Sequence, residues 1–62
     1  MKQIEFEKSV LKILEEKPQT TWELAWALNL KMKVVESRME LMRRNGKVKK
    51  SMVQSKNYFS II

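Results

Sequence analysis

The chain reads as mainly α with a small β-hairpin, three helices followed by two short strands, and three observations lead there. Apolar residues over the first 45 positions recur at helical spacing. After Gly46 the pattern turns strand-like, with β-branched and aromatic residues in two short runs. The single Pro and the single Gly both fall between these segments, where they punctuate rather than break them.

The first helix is expected from about residue 3 to 17. Phe6, Val10, Ile13 and Leu14 supply one buried face, with Lys and Glu between them. Ile4 and Leu11 form a second apolar edge, so the helix is expected to be covered on more than one side. Pro18 ends it, because the residue before a proline is pushed out of helical geometry.

The second helix is expected over about 21 to 28. Thr20 and Glu23 have the spacing of a capping box, and Asn29 suits a left-handed exit. Leu24, Ala25 and Leu28 face inward, with Ala25 small where the second and third helices cross. That rotation turns Trp22 and Trp26 about 130° outward on ideal geometry. Two exposed indoles mark a contact surface, so a homodimer or partner interface is expected there, with Ile4 and Leu11 as further apolar candidates. In the plainer reading the indoles fold over the first helix or the N-terminal residues.

The third helix is expected over about 32 to 45, with Val35, Met39 and Met42 as its core stripe and Gly46 as its stop. Arg43 and Arg44 occupy its last turn, at the negative end of the helix dipole. Beyond it, 47 to 62 is expected to be a hairpin, with Gln54, Ser55, Lys56 and Asn57 as polar turn formers and Val48 as an anchor on the helices. Phe6 and Tyr58 are read as packing residues.

Sixty-two residues make one domain, taken as 1 to 62, near the lower size at which a core suffices without disulfides or metals. His, Cys and Asp are all absent. That removes the common zinc ligands, the imidazole base, the thiol nucleophile and a Ser-His-Asp triad. Most of the seven Glu are assigned to solvated helix surfaces, so neither enzymatic activity nor a cofactor or metal is expected. No apolar run approaches the roughly 18 residues of a membrane span. The segment Met1-Lys2-Gln3-Ile4-Glu5 lacks the apolar core of a signal peptide, so a cytoplasmic location is expected.

Charge divides the chain. Residues 1 to 30 carry four Lys against five Glu, whereas residues 31 to 62 carry nine Lys or Arg against Glu36 and Glu40, a net of +7. A polyanion would be met by that second half.

The pattern Val10-Leu11-Lys12-Ile13-Leu14 ahead of Pro18, then Thr20, Glu23-Leu24-Ala25, Leu28-Asn29-Leu30, Val35, Met39, Met42 and Gly46-Lys47-Val48, resembles winged helix-turn-helix regulators of the MarR and ArsR type. The resemblance covers about Val10 to Val48. It implies a transcription regulator binding double-stranded DNA, with the third helix in the major groove and the hairpin wing on backbone or minor groove. It implies phosphate or base-edge contacts for Lys31 and Lys33, a thymine-methyl contact for Val34, and base contacts for Ser37 and Arg38. Arg44 shares the outward face, and Lys49, Lys50, Ser55 and Lys56 become wing contacts.

Two departures from the family pattern stand out. Lys31 holds a capping position commonly occupied by Ser or Thr, and Glu36 and Glu40 flank the groove face. Other readings remain open: Arg38 pairing with Glu23 or Glu36, the Lys47 to Lys50 run as a protected edge strand, a protein-interaction module working through Trp22 and Trp26, or a DNA-docking domain of a replication or recombination complex.

Overall fold

The computed structural model describes residues 2–62, so Met1 of the expected 1 to 62 domain lies outside the described residues. The elements run α1 (Gln3–Leu14), β1 (Gln19–Thr20), α2 (Thr21–Leu28), α3 (Met32–Arg44), β2 (Val48–Val53) and β3 (Lys56–Ile61). The three strands form one antiparallel sheet in the order β1-β3-β2. One core joins helices and sheet, made of Phe6, Val10 and Leu14 from α1, Leu24 and Ala25 from α2, Val35, Met39 and Met42 from α3, and Val48 and Phe59 from the sheet.

α1 stops at Leu14, three residues short of the expected end. Pro18 restricts only Lys17. Glu15 and Glu16 would add two carboxylates to the negative end of the helix, and the chain instead turns there, with the Glu16 amide bonding the Ile13 carbonyl at 3.2 Å. Leu11 packs against the core, but Ile4 stands exposed on this face of α1.

α2 opens with the capping box. The Glu23 amide donates to Thr20 Oγ1 at 3.1 Å, and the Thr20 amide donates to Glu23 Oε1 at 2.8 Å. Those bonds hold the Glu23 carboxyl below its ordinary pKa, the backbone amide being the largest cause. α2 and α3 both end in left-handed residues, Asn29 at φ 55° and Gly46 at φ 72°. In each case the amide of the left-handed residue and that of the next residue return to carbonyls of the last turn: Asn29 to Trp26 at 3.3 Å and Leu30 to Ala25 at 3.0 Å, Gly46 to Arg43 at 3.1 Å and Lys47 to Met42 at 3.0 Å.

The hairpin turn is shorter than expected. Lys56 and Asn57 belong to β3, paired with Val53 and Met52, and only Gln54 and Ser55 make the turn, at φ 51° and 66°. Positive φ at both central residues suits the right-handed twist of a two-residue hairpin. The polar character of 56 and 57 reflects their exposure on the sheet.

Glu7 was expected on a solvated helix surface, but it is only 8% exposed. It sits on the buried stripe, three residues before Val10 and seven before Leu14, and is held by Lys47 Nζ and by Gln3 Nε2 at 2.9 Å. The bond from Lys47 lowers its pKa most, with the Gln3 bond next. A carboxyl whose folded pKa is depressed contributes stability above its unfolded pKa, and that contribution is lost as pH falls through the folded value. Glu7→Gln is therefore expected to cost about 1 kcal/mol at neutral pH, and the difference from the parent chain should vanish below the carboxylate range. Thermal melts from pH 7 to pH 2 check it, and a pH-independent difference would refute the assignment.

Candidate nucleic-acid interface

The buried stripe of α3 turns Lys33, Val34, Ser37, Leu41 and Arg44 outward, and all five are exposed. Lys31 precedes the helix in extended geometry, is exposed and makes no side-chain cap bond to the first amides of α3. Arg38 is placed differently. It is half-buried, donates to Gln3 Oε1 at 3.0 Å and sets its guanidinium 5.7 Å from the centre of the Phe6 ring, while Gln3 Nε2 reaches the Arg38 carbonyl at 3.4 Å. The outward face of α3 thus keeps Lys33, Val34, Ser37 and Arg44, and Arg38 clasps α3 to α1.

The two acidic residues of α3 differ. Glu40 accepts from Arg43 Nε at 3.0 Å and pairs with Arg44 Nε at 3.5 Å, and these cations, Arg43 foremost, lower its pKa. Glu36 lines an open valley between α2, α3 and β3, beside Thr21, Met32 and Asn57. The valley continues past Glu40 toward Lys50, whose Nζ lies 5.9 Å from the Phe59 ring centre. A negative strand laid between α3 and the hairpin would therefore meet one partly neutralised carboxylate and one that is not held by a guanidinium.

On the hairpin, Lys49, Lys50, Ser55 and Lys56 are exposed, with Ser55 in the turn itself. Lys47 is drawn back to Glu7. The segment from 47 to 62 carries four Lys and no carboxylate side chain.

No family model matches the chain, and no curated protein matches it in sequence. Among solved structures, the crystal structure of the adhesin competence repressor (AdcR) from Streptococcus pyogenes superposes with a TM-score of 0.86 at 18% identity, covering 92% of this chain and 45% of that one. The fold is a winged helix-turn-helix. α2 and α3 are its helix-turn-helix pair, and β2 and β3 form the wing. The chain spans less than half the length of that repressor.

The winged helix carries one surface outside this face. Trp22 and Trp26 are 62% and 79% exposed and stack on each other, with ring centres 6.1 Å apart and planes 12° from parallel. They wall a groove completed by Ala25, Asn29, Leu30 and Met32. Of the other apolar candidates, Ile4 is exposed and Leu11 belongs to the margin of the core. Among the described residues no cluster of three or more His, Cys, Asp or Glu could hold a metal ion, and no helix is long and apolar enough to cross a membrane.

Sequence reasoning missed three features of this region. The Glu7–Lys47 pair was signalled only by the place of Glu7 on the helical wheel. The Gln3–Arg38 clasp spans 35 positions and left no local signal. Phe59 was visible only as one member of an apolar run.

Proposed function

We propose that the domain binds double-stranded DNA as a transcription regulator, with α3 in the major groove and the wing on the adjacent backbone or minor groove. Its role is binding rather than catalysis, in the cytoplasm and without a cofactor. One observation carries this reading: the outward face of α3 and the carboxylate-free wing are the elements a winged helix presents to a duplex, and both lie in the half of the chain, residues 31 to 62, that carries its positive excess. Similarity of fold to a protein described as a repressor supports it. Lys31, Lys33, Lys49, Lys50, Lys56 and Arg44 are assigned to phosphates, and Val34 and Ser37 to base edges.

With five to seven phosphates neutralised, log affinity for a duplex should fall against log salt with a slope of about −5 to −6. Fluorescence anisotropy of a labelled duplex measures it. No binding at about 50 mM salt, or a slope near −1, would end this reading.

The stacked Trp22–Trp26 pair favours a second role beside the first, in which α2 is the interface for a homodimer or a protein partner. Sedimentation equilibrium at rising concentration should give masses above the 7.4 kDa of the monomer, reversed by replacing both Trp with Ala. A constant monomer mass would remove the homodimer.

A further inference from the structure

Each face of the wing near its tip carries one exposed apolar side chain. Met52 and Val53 are the last residues of β2, 70% and 55% exposed, and pair with Asn57 and Lys56. Successive side chains of a strand point to opposite faces, so Met52 shares a face with Lys50 and Val53 shares the other with Lys49. The two-residue turn at Gln54 and Ser55 closes the hairpin at once, so the tip is no wider than two strands, about 4.8 Å between their axes.

We propose that Met52 and Val53 form a wedge that enters the minor groove of duplex DNA and bends it. The proposal rests on the DNA-binding reading above and adds how the wing engages the duplex. Charge selects the occupant. Lys49, Lys50 and Lys56 flank the apolar pair, and the hairpin carries no Asp or Glu side chain, so the partner must be a polyanion with an apolar interior within reach. The minor groove is such a partner: its rims are phosphates, and its base steps can be parted by apolar side chains, which kink the duplex by roughly 20–90° toward the major groove. Pyrimidine–purine steps, which part most easily, should be preferred under the wing, and stiff A-tracts disfavoured.

The test uses duplexes of about 30 base pairs carrying a donor and an acceptor dye at opposite ends, one with a central TA step and one with an A-tract. Anisotropy reports binding and energy transfer reports bending. The parent chain should shorten the end-to-end distance of the TA duplex and bind it several-fold better than the A-tract. Met52→Ser with Val53→Ser, both exposed and so compatible with folding, should still bind at low salt with the salt slope unchanged within about one unit, but lose the bend and the TA preference. Circular dichroism verifies that the variant is folded. Binding by the parent without bending, or equal bending by the variant, overturns the wedge alone; no duplex binding overturns the wedge and the DNA reading together. Flotation of the parent with phosphatidylserine vesicles, dependent on Met52 and Val53 and accompanied by no DNA bending, overturns it in favour of a membrane surface.

Discussion

Phe6→Ala is expected to leave the chain largely unfolded at 25 °C. Phe6 is fully buried where α1 meets the remaining core, and the Arg38 guanidinium lies over its ring. Truncating a buried Phe costs about 3–5 kcal/mol, through lost transfer energy and the cavity left behind. A chain of this length has a total stability of only about 3–9 kcal/mol on the general scale of 0.05–0.15 kcal/mol per residue. The loss is therefore comparable with the whole. It also strips the Gln3–Arg38 clasp of its apolar floor, so α1 and α3 should loosen together. Far-UV circular dichroism and a thermal melt read the result, and a cooperative melt within about 5 °C of the parent chain would show that Phe6 does not anchor the core.

The second large effect concerns duplex binding. Replacing Lys33, Ser37 and Arg44 together with Ala removes two cations and one hydroxyl from the outward face of α3 while leaving its buried stripe intact. Two lost phosphate contacts should make the salt slope shallower by about 2, and affinity should fall roughly a hundredfold at low salt. Arg38→Ala should behave otherwise. Because Arg38 is bound to Gln3 and Phe6, its loss should appear chiefly as lower thermal stability, with the salt slope nearly unchanged. An unchanged affinity for the triple variant would move the DNA contact off α3.

Much of the fold was legible because its signals are local. Thr20 with Glu23, Asn29 and Gly46 each carry their structural reason within a few residues, as capping bonds and left-handed exits. The stripe of Val35, Met39 and Met42 fixed the rotation of α3, and with it the exposed face. What escaped depends on partners far along the chain. β1 consists of Gln19 and Thr20 alone and is a strand only because Phe59 and Tyr58 arrive beside it. Lys56 and Asn57 looked like a turn because exposed strand residues and turn residues share polar chemistry. The outward turn of Trp22 and Trp26 followed from helix geometry, whereas their stacking depends on side-chain angles that spacing does not encode.

That stack makes the domain its own spectroscopic reporter. The chain has two Trp, both on α2 and both already in water, so unfolding should shift the wavelength of their emission little. Separating the rings would instead abolish their mutual coupling in near-ultraviolet circular dichroism. A blue shift in emission would then signal that α2 has been covered. The chain can thus be watched without a label, with ring coupling following the integrity of α2 and emission wavelength following its occupancy.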